Sequence, residues 1–458
     1  MKTNNNINTI FLAALLVFAT LVCNAQQQPK IFGKTINAES INAETGKIRC
    51  VTTEYEEYLQ QKSPQRATNA EFEEWIAQKI VARKTKSAAA AQNTTEVITI
   101  PIVVHVVHNG DFLGNNENIA DEQVLSQITV LNQDYRRMLG TPGYNSNPVG
   151  ADVEIEFCLA QVDPDGQPTT GINRVNMNVA SWSESQVEDV LKPGTIWDPT
   201  KYFNIWVCNF GSDLSDVLGY AQFPSQSGLN GLNNNEGSAS TDGVIIGYKY
   251  FGSESIYPEG NYAEPYNEGR TTTHEIGHAL GLLHIWGNSW SNNTCSYTDY
   301  CDDTPTSSGP NSGCSQHYSC TSYDMIENYM DYTYDSCMNI FTQDQKERIL
   351  AVLDNSPRRA SLKTSNVCSA LAGSEDFKLL NGINLYPNPA TSVLNIAVAD
   401  NDLPDSYMVY NSLGQAMVSV TVTSASSLTI DTSSYSNGIY FIRIEKGNES
   451  KVLKFIKK

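Results

Sequence analysis

A stretch of eleven residues, 274–284, constrains the fold of this chain more than any other feature. It has the pattern H-E-x-x-H-x-x-G-x-x-H. Residues four apart lie on one face of an α-helix, so His274 and His278 point toward a common position. Gly281 can adopt the positive φ that ends a helix, and the chain can then turn back and bring His284 to the same position.

These side chains have the chemistry of a catalytic zinc site. Three neutral imidazoles leave the fourth position of a tetrahedral zinc ion open to water. Glu275 follows the first histidine directly and can accept a proton from that water without binding the metal. A structural zinc site is the alternative, but it would not need Glu275. We therefore predict one catalytic Zn²⁺ bound by His274, His278 and His284, with Glu275 as the general base.

Length and charge exclude some functions. The 458 residues allow two or three domains. The chain has 50 acidic and 30 basic residues and a formal net charge of -20. This excess of negative charge argues against nucleic-acid binding as the main activity, because nucleic-acid binding needs positive charge to neutralise phosphates.

The N-terminus resembles a secretory signal peptide. A basic start is followed by an apolar run at 10–22 and by small residues that end at Ala25. We predict a signal peptide over 1–25, and hence export through the periplasm to a secreted or cell-surface location. A lipid anchor at Cys23 is the alternative, but Val22 stands where a small residue is usual. We expect no transmembrane segment, since no other stretch has the ~20 apolar residues that span a bilayer.

Composition predicts four further segments, namely a pro-segment (26–90), a catalytic domain (91–368), a linker (369–380) and a β-sandwich (381–458). The pro-segment is polar, with a helical pattern at 69–81 and a basic, alanine-rich stretch from residue 83 that we expect to be an exposed linker. The fold class predicted for the catalytic domain is α/β (α+β), with a twisted mixed sheet and an active-site helix. Short strands separated by Pro, Asn, Gly and Ser predict the small all-β sandwich.

The segments around the histidines carry a family resemblance. Residues 269–273, which precede the motif, and residues 328–339, which follow it, resemble the pappalysin family of metzincin zinc peptidases, as do 218–224 and 242–244. The resemblance covers about 92–357. It implies a secreted, zinc-dependent endopeptidase that acts on proteins and peptides. The alternative from another class is a cell-surface adhesin built on a metzincin scaffold, which a degraded motif would favour.

The resemblance also implies roles for individual residues. Met330 would lie beneath the zinc, with Met338 as its rival, and Tyr332 would stabilise the tetrahedral intermediate. Asp335 would close the specificity pocket and select Arg or Lys immediately after the scissile bond through a charge-assisted pair. Cys50 lies in a stretch, 49–54, that resembles a pro-segment motif in which a thiolate occupies the zinc and keeps the zymogen latent. An unpaired surface thiol is the alternative for Cys50.

The loop after the histidines is rich in cysteine and acidic residues. The resemblance implies the disulfides Cys314–Cys337 and Cys295–Cys320. Cys301 is extra and could replace Cys295 or pair with Cys368, and the pairing of Cys158 and Cys208 stays open. The resemblance further suggests a structural Ca²⁺, because hard oxygen ligands are closely spaced in this loop. The candidate ligands are Asp299, Asp302 and Thr304, and a solvated turn is the alternative.

The end of the chain resembles a type A sorting domain of bacterial type IX secretion. The matching segments are 385–390, 411–415, 438–440 and the basic ending 454–458. The resemblance implies that the type IX secretion machinery is a partner, in addition to protein or peptide substrates. We expect the protein to be a monomer.

Overall fold

The computed structural model describes residues 28–64, 66–89, 97–224, 239–287, 295–369, 383–398, 403–411, 415–446 and 449–458. The predicted signal peptide and all but the first residue of the predicted linker lie outside these residues. The chain divides into two compact units, Met1–Ser369 and Ala370–Lys458. Among the helices in these ranges, none has both the length and the apolar composition needed to cross a membrane.

A seven-stranded mixed sheet forms the centre of the first unit. Its strands are β3 (Ile48–Cys50), β4 (Ile98–His108), β5 (Ile155–Leu159), β6 (Ile172–Asn176), β7 (Phe203–Cys208), β8 (Val217–Ala221) and β9 (Val244–Gly247). Their order in the sheet is β3-β8-β9-β7-β4-β5, and β6 also pairs with β4. Neighbouring strands are parallel except β8 and β9, which are antiparallel. Two small hairpins consist of β1 (Lys30–Ile31) with β2 (Lys34–Thr35) and of β10 (Tyr318–Ser319) with β11 (Ser322–Tyr323).

The central strands are continuous apolar runs because both faces of the sheet are covered. Residues 100–107 of β4 are all buried, as predicted from their β-branched composition. Helices cover the sheet and build the unit, and they are α1 (Thr52–Lys62), α2 (Asn69–Ala89), α3 (Asp121–Tyr135), α4 (Arg270–Ala279), α5 (Gln343–Asn355) and α6 (Pro357–Leu362). Shorter helical segments follow one another at Glu184–Gln186, Val187–Leu191 and Lys192–Thr195.

Helix α2 is longer than its sequence pattern predicts. The apolar periodicity ends at residue 81, and we expected the basic stretch beyond it to be an exposed linker. The helix instead continues to Ala89. Arg83 forms ion pairs with Glu347 and Asp354 on α5, and Lys84 forms one with Asp344. These contacts with a distant part of the chain extend the helix where local periodicity gives no reason for it.

The N-terminal segment is part of the core of the first unit. Strand β3 pairs in parallel with β8 at the edge of the sheet. On one face of the sheet, Phe32 and Tyr55 share a buried apolar cluster with Tyr220. Elsewhere, Phe72, Trp75 and Ile76 of α2 pack against Phe223, Leu283 and Val352. Each large side chain buried in this way contributes roughly 1.5–3 kcal/mol, so the segment contributes substantially to the stability of the unit.

The C-terminal unit consists of two antiparallel sheets. One contains β12 (Asn384–Tyr386), β13 (Val393–Ala397) and β16 (Thr429–Asp431), and the other contains β14 (Ser406–Asn411), β15 (Ala416–Thr421), β17 (Gly438–Lys446) and β18 (Glu449–Lys457). Side chains alternate between the inside and the outside along β17, where Tyr440, Ile442 and Ile444 are buried. Residues from both sheets share one apolar core, as in the predicted sandwich.

A buried cluster of charged residues connects α6 to Asp242, which lies just before β9. The Asp242 carboxylate accepts hydrogen bonds from Arg358 at 2.6 Å and from Arg359 at 2.8 and 2.9 Å. The Arg359 Nε also donates to the Ala279 carbonyl at the end of α4. Burial alone would raise the pKa of Asp242, but Arg359 and Arg358 outweigh it and lower this pKa to about 2.

This cluster predicts an acid-sensitive contribution to stability. The folded-state pKa of Asp242 lies below the usual 3.8, so the contribution is present above pH 4 and is lost as the pH falls through 2. The difference corresponds to about 2 kcal/mol. Chemical denaturation gives the free energies of unfolding of the parent and of Asp242→Asn. We expect the difference between these two free energies to shrink by about 2 kcal/mol between pH 5 and pH 2. Asp165→Asn, in an exposed turn, is the control, and a gap that stays constant with pH would contradict the prediction.

Candidate active site and metal centre

Helix α4 and the turn after it bring the three histidines together. Gly269 precedes the helix with φ 78°, and Gly281 turns the chain with φ +91°. The Nε2 atom of His278 lies 3.1 Å from that of His274 and 3.0 Å from that of His284. All three side chains are completely buried. The predicted turn at Gly281 is therefore present, and the third histidine reaches the same position as the other two.

Backbone carbonyls orient two of the rings. The Nδ1 of His274 donates to the Tyr329 carbonyl at 2.6 Å, and the Nδ1 of His278 donates to the Leu282 carbonyl at 2.8 Å. With a proton on Nδ1, each ring presents the lone pair of Nε2 to the shared position. Burial lowers the pKa of His278 to about 4, which favours the neutral ring that a metal requires. Trp286 stacks on the ring of His284, with the centroids 4.5 Å apart.

Cys50 brings a fourth candidate ligand atom to the histidines. Its Sγ and one nitrogen of each histidine lie within 4.8 Å of one another. Tetrahedral zinc with Zn–N bonds of ~2.0–2.1 Å would hold two nitrogens about 3.4 Å apart, close to the nitrogen distances here. Three buried imidazoles that converge without an acidic partner between them also need a cation to satisfy their lone pairs. The three histidines therefore fit zinc and would hold it, and the Cys50 thiol lies within reach of the same position.

Glu275 lies beside this cluster. Its Oε2 accepts a hydrogen bond from Thr52 Oγ1 at 2.9 Å and lies 3.4 Å from Cys50 Sγ. Strand β8 passes close by, since a Cβ on Gly219 would lie 3.2 Å from the Glu275 Cγ. Burial raises the pKa of Glu275 to about 8 in this form of the chain. The carboxylate is thus within reach of the thiol's position, and residues of the N-terminal segment hold it there.

The two candidate methionines lie in different places. Met330 is buried beneath the histidine helix, where a Cβ on Gly277 would lie 2.5 Å from its Sδ. Met338 instead contacts Arg49, whose Nη2 lies 3.2 Å from the Met338 Sδ. Met330 therefore packs directly against the helix that carries two of the histidines, and Met338 contacts Arg49 of the N-terminal segment. The role that the resemblance implies for Met330 stays a prediction.

Tyr332 packs against the rings of His274 and His284. Its ring meets that of His284 edge to face, with the centroids 4.9 Å apart. Its hydroxyl donates to the Cys50 carbonyl at 3.1 Å. The Tyr332 hydroxyl is therefore close to the histidines, and it is hydrogen-bonded to the N-terminal segment.

Asp335 closes a pocket that holds Arg49. The Asp335 Oδ1 accepts from Arg49 Nη2 at 2.9 Å, and its Oδ2 accepts from the backbone N–H groups of Glu268 and Arg270 at 3.0 and 3.1 Å. Arg49 Nη1 also donates to the Thr333 carbonyl at 2.8 Å. Both side chains are almost fully buried, with 1% and 0% exposed. The residue before Cys50 thus fills the pocket that the resemblance assigns to substrate selection.

The loop after the histidines contains the disulfides Cys295–Cys320 and Cys314–Cys337, which the resemblance implies. Cys158 and Cys368 form a third disulfide, which the sequence did not predict. Cys208 and Cys301 are buried free thiols. Cys301 therefore pairs with neither Cys295 nor Cys368.

Two of the three candidate calcium ligands are buried and in contact with each other, and the third is exposed. The hydroxyl of Thr304 donates to the carboxylate of Asp299, and both residues are buried. Asp302 is exposed, and its backbone N–H donates to Asp344. A structural Ca²⁺ at these residues stays a prediction.

Sequence reasoning missed three residues around the centre. Arg49 and Thr52 lie in the motif around Cys50, but no role was predicted for either. Tyr266, over whose ring the Arg49 guanidinium lies, was not predicted to be part of the site. A basic residue beside the candidate zinc-binding cysteine, together with a predicted acidic pocket, was a signal that could have identified Arg49. Nothing local in the sequence singles out Thr52 or Tyr266.

The mixed sheet, the histidine helix with its turn, and the methionine beneath it define a zinc metallopeptidase of the metzincin type. The chain belongs to the pappalysin family of secreted metalloproteases. The family model described as Pregnancy-associated plasma protein-A matches residues 185–354. An extracellular metalloprotease of Arthroderma gypseum is 31% identical over 271 residues, which cover 58% of this chain and 76% of the relative. Extracellular metalloprotease 1 of Coccidioides posadasii is 31% identical over 234 residues, which cover 50% of this chain and 68% of the relative.

Solved structures agree with this assignment. Mature mirolysin of Tannerella forsythia in complex with a cleaved peptide is 38% identical, with a TM-score of 0.50, covering 59% of this chain and 97% of the other. A promirolysin variant from the same organism is 34% identical, with a TM-score of 0.52, covering 69% of this chain and 97% of the other. A secretion system C-terminal sorting domain matches residues 384–458. The protein is therefore a zinc metalloprotease that type IX secretion exports to the cell surface or the exterior.

The packing of Met330 predicts a large effect of truncation. Met330→Ala would leave a cavity beneath the histidine helix, so we expect the free energy of unfolding to fall by about 2–5 kcal/mol. Met330→Leu nearly conserves the volume and should cost less than about 1.5 kcal/mol. Chemical denaturation of the two variants measures both changes. An alanine variant as stable as the leucine variant would show that Met330 does not support the helix.

Proposed function

We propose that the protein is the latent precursor of an endopeptidase that cuts peptide bonds followed immediately by Arg or Lys. One observation carries this proposal, namely that Arg49 is paired with Asp335 in a buried pocket while the next residue, Cys50, lies against the three histidines. Arg49 lies beside the candidate metal ligands and is itself an arginine side chain bound in the Asp335 pocket. The same contact explains why the intact chain would be inactive.

In the proposed mechanism, His274, His278 and His284 hold the zinc. When bound, zinc polarises the scissile carbonyl and lowers the pKa of a water molecule to about 7. Glu275 accepts the proton of that water at a carboxylate oxygen and passes it to the nitrogen of the leaving amine. The Tyr332 hydroxyl, once free of the Cys50 carbonyl, donates a hydrogen bond to the oxyanion of the intermediate.

The orientation of the Asp335 carboxylate supports selection of a basic residue. One oxygen accepts two backbone N–H groups near the start of α4, which fixes the carboxylate in place. The other oxygen faces the pocket and receives the Arg49 guanidinium. A buried carboxylate with an oxygen left without a cation is costly, so the pocket should disfavour neutral side chains strongly.

Three contacts of the N-terminal segment support latency. The Cys50 thiol takes the position that the attacking water needs, the Thr52 hydroxyl binds Glu275, and the Cys50 carbonyl binds the Tyr332 hydroxyl. All the groups with a proposed catalytic role are therefore occupied at once. A cell-surface adhesin would need neither Glu275 nor the three histidines beside it, so their presence argues against this alternative.

We expect the processed enzyme to cut at Arg or Lys through Asp335. Mass spectrometry of peptides from a digested proteome should show these residues immediately after the cut. Asp335→Asn keeps the shape of the pocket and removes its charge, so it should lower kcat/KM for such peptides by a factor of about 100, in line with the loss of a buried ion pair. Glu275→Ala is the inactive control and should still bind zinc. An Asp335→Asn enzyme with the parent's preference would contradict the role of Asp335.

Latency should depend on Cys50. In the intact chain, Cys50→Ser would weaken the bond to the metal and admit water, so the initial rate of peptide cleavage should rise at least tenfold, in line with the loss of a strong metal ligand. Cys208→Ser changes another buried free thiol and serves as the matched control, which should stay latent. Gel electrophoresis would confirm that the chains are uncut during the assay. A folded Cys50→Ser chain as inactive as the parent would rule out this form of latency.

A further inference from the structure

Besides the Met338 sulfur, three groups of different chemistry contact the Arg49 side chain. Asp335 supplies a carboxylate oxygen, Thr333 supplies a backbone carbonyl, and Tyr266 supplies the face of an aromatic ring. The guanidinium carbon of Arg49 lies 5.4 Å from the centroid of this ring. Two different guanidinium nitrogens donate to the two oxygens, at 2.9 and 2.8 Å. The pocket therefore contacts both the edge and the face of a flat cation.

Tyr266 is held firmly in this position. Its side chain is buried, and its ring packs edge to face against Tyr250 and Tyr334, with centroid distances of 6.3 and 5.8 Å. The preceding residue, Pro265, accepts a hydrogen bond from the backbone N–H of Asp335. The ring and the carboxylate thus belong to one connected wall, and the ring belongs to the catalytic unit rather than to the N-terminal segment.

We propose that Tyr266 is a specificity-determining residue that makes the enzyme prefer Arg to Lys immediately after the scissile bond. This proposal rests on the function proposed above, because it assumes that the substrate's basic residue enters the pocket that Arg49 fills. Asp335 attracts either cation. Tyr266, together with the Thr333 carbonyl, distinguishes between them.

The shapes of the two cations provide the physical reason. A guanidinium is planar and weakly hydrated, so it can donate to two oxygens in its plane while its face lies on a ring. An ammonium is compact and strongly hydrated, and it loses more on leaving water. Cation–π contacts in desolvated sites are strong enough to change an affinity by a factor of roughly 5 to 30.

The test uses processed enzyme and pairs of peptides that differ only in Arg or Lys after the scissile bond, with an alanine peptide as reference. We expect the parent to favour Arg over Lys by about tenfold in kcat/KM, as one cation–π contact allows. Tyr266→Leu should reduce this ratio to below about threefold, mainly by slowing cleavage of the Arg peptide. Tyr266→Phe keeps the ring and should keep the ratio. Tyr202→Leu makes a change of the same size at a buried tyrosine of another cluster and is the matched control.

The outcomes separate the two proposals. If the parent cuts the alanine peptide as well as the basic ones, both the proposed specificity and the role of Tyr266 are wrong. If Tyr266→Leu still prefers basic peptides and its ratio of Arg to Lys equals that of the parent, only the role of Tyr266 is wrong. A ratio that falls in Tyr202→Leu as much as in Tyr266→Leu would also overturn this role.

A second measurement does not depend on the folding of any variant. Synthetic peptides with the sequence of residues 44–55, either unchanged or with Arg49→Lys, are tested as inhibitors of the parent enzyme. The unchanged peptide should inhibit at a concentration about tenfold lower, because only arginine uses both oxygens and the ring. Equal inhibition by the two peptides would overturn the proposal.

Discussion

The convergence of three buried imidazoles is the constraint on which the rest of the first unit depends. Neutral rings with their lone pairs facing one another are unfavourable unless a cation lies between them, so the surrounding structure must hold them rigidly for metal binding. The backbone carbonyls of Tyr329 and Leu282 fix two rings, and Trp286 stacks on the third. Met330 supports the helix from below, and Arg359 binds the carbonyl of Ala279 at its end. Much of the core can thus be understood as support for one small cluster.

How much of this structure could be predicted depends on the range of the interaction. The helix with its glycine turn follows from spacing within eleven residues, and β4 follows from a run of β-branched residues, so both could be read locally. The contacts between Arg49 and Asp335 and between Tyr332 and Cys50 join residues 286 and 282 positions apart, and no local pattern encodes such pairings. The same reason explains α2, whose last turns depend on ion pairs with α5 rather than on its own periodicity.

The residues that we propose to keep the centre inactive also complete the fold. Strand β3 covers the edge of the sheet at β8, which would otherwise present unpaired backbone groups. Phe32 and Tyr55 fill one apolar cluster and Trp75 fills another, while Glu73 forms a buried ion pair with Arg348. Loss of the Cys50 contact alone leaves all these contacts in place. Release of the whole segment must therefore break many contacts together, whereas opening of the metal site needs only local movement.

The direction of the chain explains how a peptide can lie across the centre without being cut. In a substrate of the proposed kind, the basic residue follows the bond to be broken, so its pocket lies on the C-terminal side of that bond. In the intact protein, Arg49 fills this pocket, and Cys50, which lies against the three histidines, comes after it. The segment therefore runs through the site in the direction opposite to that of a substrate of the proposed kind, and it presents a thiol where such a substrate would present its carbonyl. A chain bound in this reversed direction would gain the affinity of the pocket while its thiol, rather than a peptide carbonyl, faces the histidines and Glu275.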